Sequence, residues 1–268
     1  MLSTTFLDPY IPVNSTVHRL DARVKLPLAL VFILVCAFTP HGAWAVYMLL
    51  WAVLLAAVIL SELGITLVLK RALLALPFML AAFPVLFTIQ GSALFSFSIG
   101  TIDLAISQAG IERFLSIALK SWISVQCAVL LAASTQITDL LKAMRMIRIP
   151  RLLVAIISLM YRYLYVMVAE AQRLLTARTA RSGVSEHTDL KPGGSLRWRA
   201  SVTGGMAGNL LLRSFERSDR VYSAMLARGY DGEVRSYPQP DLSAQSKLVL
   251  AFGMAVLFLI LLLGLLLG

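Results

Sequence analysis

LVLAFGMAVLFLILLLGLLL, Leu248–Leu267, runs for twenty residues without a charge. The hydrocarbon core of a bilayer is about 30 Å thick, and a helix rising ~1.5 Å per residue crosses it in about 20 residues. Four further apolar runs precede this one. They are Leu26–Phe38 (extendable to Pro40), Ala43–Leu60, Ala72–Ile89 and a run within Phe114–Ala133. A Thr39-Pro40-His41-Gly42 turn separates the first two, and a polar link with Gly91, Ser92, Ser96, Ser98 and Gly100 precedes the fourth. Pro77 and Pro84 interrupt the third run, which lipid tolerates where neighbours satisfy the freed carbonyls. Hydrophobic residues make up 59% of the 268-residue chain and charged residues 14%, against about a quarter charged in soluble domains. The pattern predicts an all-α integral membrane protein with about five transmembrane helices. Cys36 and Cys127 both fall in apolar runs without CxxC spacing and read as small core residues. Met1–Tyr10 has no apolar stretch of the kind a cleavable signal needs.

Charge orients the spans. Arg19, Arg23 and Lys25 flank the first run, and Lys70 and Arg71 lie between the second and third. The link between the first two spans has neither Lys nor Arg, and nor does Gln90–Glu112. Thr135–Ser246 holds 16 of the 24 Lys and Arg residues against nine acids. With five spans, every basic region falls on one side. Positive residues stay in the cytoplasm, so the N-terminus and the long segment are expected there. The division expected is 1–134, a four-span membrane domain; 135–246, a cytoplasmic domain of two long helices; and 247–268, a last span. Lys120, inside the fourth span, reads as a side chain snorkelling near a helix end.

Leu152–Val168 is a rival span. Crossing there would put Lys142, Arg145, Arg148 and Arg151 on one side and Arg173, Arg178 and Arg181 on the other. It would also bury Arg162, at about 2.5–3.5 kcal/mol on the insertion scale. Arg151, Arg162 and Arg173 recur every eleven residues, close to three helical turns, and so make one stripe. A long helix lying at the membrane surface fits better, with Pro150 in its first turn. A second helical region follows, expected to break or bend near Gly204, Gly205 and Gly208. The Gly204-xxx-Gly208 spacing also suits close helix contact. Its later part carries Leu211, Phe215, Val221, Tyr222 and Met225, with Arg213, Arg217 and Arg220 on other faces, and Gly229 and Gly232 end it.

No phosphate-binding loop, HExxH or GxSxG occurs, so neither ATP binding nor catalysis is expected of this chain alone. His18, His41 and His187 are scattered, and acids are nearly absent from the spans. A lipid-modifying enzyme should cluster acids around a metal-phosphate site. A secondary transporter should carry intramembrane charges and repeated broken spans. What does repeat is a short pattern. Ala180-Arg181-Ser182 ends the first long helix and Ala227-Arg228-Gly229 the second. Arginine's planar fork can hold a carboxylate with two hydrogen bonds while small neighbours let a partner approach. An arginine near a helix C-terminus can equally serve the dipole alone.

The stretch Arg213-Ser214-Phe215-Glu216-Arg217-Ser218-Asp219-Arg220-Val221-Tyr222, followed by Met225-Leu226-Ala227-Arg228-Gly229-Tyr230-Asp231-Gly232, resembles the transmembrane coupling component of energy-coupling factor (ECF) transporters in its cobalt-type form (CbiQ). So do His18–Lys25 before the first span and Ile149-Pro150 at the start of a long helix. The resemblance covers essentially the whole chain. It implies an inner-membrane, non-catalytic permease subunit with two coupling helices, each ending in an Ala-Arg-Gly motif that docks on one of two ATPase subunits. The docking residues would be Ala180, Arg181, Ser182, Ala227, Arg228 and Gly229, with Ser182 standing where the family has glycine. ATP and Mg would bind the partner ATPases, and cobalt a separate substrate-binding membrane subunit, in support of cobalamin synthesis. A small accessory membrane subunit and the lipid bilayer complete the expected partners, with no nucleic acid among them. Nickel and vitamin transporters use similar components.

Overall fold

Asp21 opens the first long helix: its carboxylate accepts the Arg23 backbone N–H at 2.9 Å, so the span begins four residues before the apolar run itself. The computed structural model describes residues 9–88, 93–99, 102–147, 149–181, 195–231 and 241–267. Two compact units divide the chain, Met1–Arg148 with Gln239–Gly268, and Ile149–Pro238.

In the first unit a short helix, α1 (Thr16–Arg19), leads into α2 (Ala22–Phe38) and α3 (Trp44–Leu60). The expected third span is not one continuous helix from Ala72. It starts earlier, with α4 (Ile65–Ala72), tightens to a 3₁₀ turn at Leu73–Ala75, and continues as α5 (Leu76–Ala81) and α6 (Val85–Thr88). Pro84 has no N–H to give, and the chain around it uses shorter bonds, Phe83 N–H to Leu80 and Val85 N–H to Ala82. Ile89 lies outside the described residues. A hairpin, β1 (Ala93–Ile99) with β2 (Ile102–Ser107), occupies the stretch read from sequence as a polar link. Then come α7 (Gln108–Ser134), α8 (Ile137–Met146) and, last in the chain, α11 (Ala244–Leu267). The hairpin apart, this is the expected all-α membrane architecture.

The helices α2, α3, α7 and α11 share one core built on Phe32, Tyr47, Leu50, Ile123, Cys127 and Ile260. The outside is as apolar as the inside: Phe38 is 70% exposed and Phe252 69%. In lipid that surface costs nothing, so close packing and internal hydrogen bonds must hold the helices together instead. Gly253 supplies the first, since a Cβ there would meet the Leu28 side chain at 2.6 Å. Lys120 supplies the second. Its ammonium donates to the carbonyls of Ala37 (3.3 Å) and Thr39, capping the C-terminal end of α2. Lys25 does the same for α7, donating to Ser134 at 2.9 Å. The amphipathic α8 packs on α2, with Ala143 fully buried against Ala22 and Leu26. It therefore joins this unit, although Asp139, Lys142 and Arg145 make it read as the start of the charged segment. Cys36 and Cys127 are free and buried.

Among the described residues four helical stretches are long and apolar enough to cross a membrane: Ile65–Thr88, Gln108–Ser134, Arg151–Arg181 and Ala244–Leu266. Trp44–Leu60 is shorter and apolar.

Candidate functional site

The second unit is built on two long helices, α9 (Arg151–Arg181, 31 residues) and α10 (Leu196–Ala227, 32 residues). The Pro150 carbonyl accepts the Leu153 and Val154 N–H groups to start α9. Ser195 caps α10, its hydroxyl accepting the Trp198 N–H.

Three contacts fix their mutual direction. Arg178 Nη1 donates to Thr203 Oγ1 at 2.7 Å, and Thr203 in turn donates to the Arg199 carbonyl. Arg213 Nη1 pairs with Glu170, and the Arg173 guanidinium lies 3.9 Å from the same carboxylate. Met160 and Tyr163 share a groove with Val221, Tyr222 and Met225. Positions fall along α9 as they rise along α10, so the pair is antiparallel. The Gly204–Gly208 stretch plays neither expected part. The helix runs unbroken through it, and a Cβ at any of its three glycines would meet nothing within 4 Å. Glycine in a helix interior costs about 1 kcal/mol without breaking the hydrogen-bond ladder, and contact with α9 at this level is made by Thr203 instead.

Ala180 and Arg181 end α9, both exposed. Ser182 lies outside the described residues. At the other terminus Ala227 is the last helical residue, Arg228 the C-cap and Gly229 the next, with φ +78°. Tyr230 N–H donates to the Met225 carbonyl at 3.0 Å and Gly229 N–H to Leu226 at 2.9 Å. That bond pair is a Schellman closure, which needs a left-handed residue after the cap and so favours glycine. Tyr230 and Met225 line the same groove, supplying the apolar contact that accompanies such closures. The glycine of the second motif thus has a structural reason: it turns the chain away and leaves the Arg228 guanidinium outside. Neither Arg181 nor Arg228 has a side-chain partner among the described residues, and both are exposed.

The two arginines are not brought together. In an antiparallel pair the C-terminal ends point apart. From the Arg178–Thr203 contact to Arg228 is 25 residues of α10, roughly 40 Å at ~1.5 Å per residue. No three His, Cys, Asp or Glu side chains meet among the described residues. Sequence reading missed two features. The Glu170–Arg213 pair joins residues 43 apart, which no local pattern reveals. Arg217, read as facing away from the apolar residues, lines the groove with them. Its aliphatic stem can lie on apolar surface.

The sequence model of the CbiQ family, described as cobalt transport protein, matches residues 13–239. An energy-coupling factor transporter transmembrane protein, EcfT, of Streptococcus equi subsp. equi is 29% identical over 257 residues, 94% of this chain and 93% of that one. The cobalt transport protein CbiQ of Rhodobacter capsulatus is 29% identical over 155 residues, 58% of this chain and 60% of that one. An uncharacterized protein of Methanocaldococcus jannaschii is 22% identical over 260 residues, 96% and 86% of the two chains.

Proposed function

This chain belongs to the CbiQ family of cobalt transport proteins, and on that premise we propose that it is the transmembrane coupling subunit of an energy-coupling factor importer. It hands the motion of two ATPase subunits to a separate membrane subunit that captures the cargo. Cobalt ion is the cargo this reading favours. ATP and Mg²⁺ belong to the ATPases, Co²⁺ to the capture subunit, and this chain is a transport subunit that performs no catalysis. The N-terminus and the α9–α10 pair lie on the cytoplasmic side, where the basic residues concentrate. The helix α9 lies along the membrane surface, since crossing would bury Arg162 and split its flanking arginines.

One observation carries the reading. Two exposed arginines, without a side-chain partner among the described residues, stand at opposite ends of an antiparallel helix pair, roughly 40 Å apart by helical rise. That spacing suits two partner subunits better than one. Each arginine enters a groove of one ATPase and meets a carboxylate or a helix end there. Removing one member of a desolvated charge pair costs about 2–5 kcal/mol, or roughly 30- to 5,000-fold in affinity, and a rim-exposed pair under about 1 kcal/mol. With two grips the second contact is intramolecular, so assembly tolerates one loss.

The test is co-purification and cobalt uptake for Arg181→Ala, Arg228→Ala and the double variant. Each single change should sharply lower uptake while some complex survives, and the double change should release the ATPases. Arg→Lys should rescue only in part, because lysine lacks the fork. Near-wild-type uptake in the double variant would reduce both arginines to helix-end charges. A second reading has support in the EcfT relatives, whose similarity spans more of the chain than that of the R. capsulatus protein. There the capture subunit alone sets the cargo. Competition of nickel or a vitamin against cobalt uptake, with the capture subunit exchanged, separates the two.

A further inference from the structure

Among the described residues three buried side-chain nitrogens lack a hydrogen-bond partner: Trp51 Nε1, Gln126 Nε2 and Arg217 Nη1. Gln126 is enclosed within the helical bundle at 1% exposure, beyond reach of a ligand. Arg217 differs, because it lines an open-sided groove of about 440 Å³ between α9 and α10. An unpaired guanidinium nitrogen removed from water is expensive, and a phosphate or carboxylate oxygen is its natural acceptor.

The rest of the groove narrows the choice. Its walls are Ile156, Leu159, Met160, Met167, Val221 and Met225, an apolar trough fit for a hydrocarbon chain. The hydroxyl-bearing residues Ser214 and Ser218 flank Arg217 along α10, and Tyr163, Tyr222 and Tyr230 supply rings with one apolar and one polar end. Such rings favour the headgroup level of a membrane. Glu216 and Asp219, beside Arg217 in sequence, are exposed and do not line the groove, so among the described residues no acid competes inside it. Met160 is 63% exposed, which leaves the trough open along one side. Basic pockets between helices are a recurring means of holding acidic headgroups.

We propose that this groove is a binding site for one anionic phospholipid, its phosphate on Arg217 and an acyl chain along the Ile156–Met160–Val221 wall. A single molecule of that class satisfies both the orphaned donor and the apolar trough, and the bilayer around a multi-pass protein supplies it. A partner helix offering a carboxylate would satisfy the donor, but it would leave the hydroxyl-rich flank without a role. The site is independent of the cargo.

The experiment uses the full-length chain, alone and with its partners, in nanodiscs of mixed phosphatidylcholine and phosphatidylglycerol, with retained lipid read by native mass spectrometry. Wild type should keep one phosphatidylglycerol in preference to phosphatidylcholine. Arg217→Gln should weaken that retention about tenfold or more, the loss of one charge-assisted bond, and Arg217→Lys should keep part of it. Arg220→Gln, one residue group away on the exposed side of α10, should leave it unchanged, which separates the site from general surface charge. Ile156→Gln should weaken retention of the lipid without affecting inorganic phosphate, and inorganic phosphate alone should not displace the lipid. Circular dichroism of each variant checks that the helices remain. Equal retention by folded Arg217→Gln overturns the proposal, as does full displacement by phosphate. So does loss of a protein partner from Arg217→Gln with lipid retention intact, because the acceptor is then a protein carboxylate.

Discussion

Gly253 lies within α11 and Gly229 just past the end of α10, one glycine in each unit, and they are there for opposite reasons. A side chain at Gly253 would collide with Leu28, while its backbone is ordinary helix. At Gly229 nothing lies within 4 Å, but the backbone turns left-handed at φ +78°. The first unit spends glycine on proximity, because helices in lipid are held by close approach. The second spends it on shape, ending a helix whose surface stays uncovered. The burial pattern agrees: the bundle encloses Tyr47, Leu50 and Ile123, whereas α9 buries only Val154 and Ala155 and α10 buries none. One unit is packed on itself, while the helices of the other leave most of their surface uncovered among the described residues.

Three changes would break or sharpen that contrast. Gly253→Val should be the most damaging to the bundle, at about 1–3 kcal/mol, the usual range for overpacking a tight contact. Cys36 and Cys127 are buried within the bundle, so their reaction with a thiol-specific dye on heating reports its opening; the midpoint should fall. An unchanged midpoint would mean Leu28 moves aside freely. Gly229→Ala should cost about 1–2 kcal/mol, the penalty for an ordinary side chain in a left-handed conformation. It should act on partner retention while leaving the thiol midpoint alone. Gly229→Asn should be milder than alanine, since asparagine tolerates that conformation, and equal losses would refute the conformational account.

The smallest effect is a pH slope. The His18 ring sits between Ser15 Oγ (2.7 Å to Nδ1) and the Ile11 carbonyl (3.1 Å to Nε2). The carbonyl can only accept, so Nε2 carries the proton and a neutral Nδ1 accepts from Ser15. Burial lowers the pKa of His18 below the ordinary histidine value, with Lys25 acting the same way and the Ile11 carbonyl opposing. The folded chain therefore binds this proton later than the unfolded chain as pH falls. Its contribution to stability is whole above the unfolded value near pH ~6.5 and declines below it until the lowered folded pKa is passed. The thiol midpoint should slip between about pH 7.5 and 5.5, and His18→Gln should flatten that part of the slope. A slope that survives the substitution belongs to another group.

Much of this was legible from the chain alone. Apolar length marked the spans, because lipid demands length before anything else. The ends were less clear, since caps such as Asp21 sit in polar sequence outside the runs. The hairpin was missed although Phe95-Ser96-Phe97-Ser98 alternates with the period of a strand; serine and glycine drew the reading towards a link. From sequence the amphipathic α8 reads as the start of the charged segment, because its buried face is small, Leu141 and Ala143. At the candidate site the two arginines could be named from their repeat. Their separation could not, because it depends on the antiparallel pairing, which rests on contacts such as Glu170–Arg213 between residues far apart in sequence.

The closed end of α10 has a kinetic meaning. With both Schellman bonds made and Tyr230 seated beside Met225, the backbone at Arg228 is fixed before any partner arrives. Under the proposed function, docking there would need little more than the freezing of one guanidinium arm, at about 0.5–1.5 kcal/mol of side-chain ordering. A terminus that had to fold on contact would lose far more entropy in docking. If the proposed docking at Arg228 holds, such a preformed socket would engage and let go within every working stroke, its residence time set by what the partner offers the arginine rather than by reorganisation of this helix.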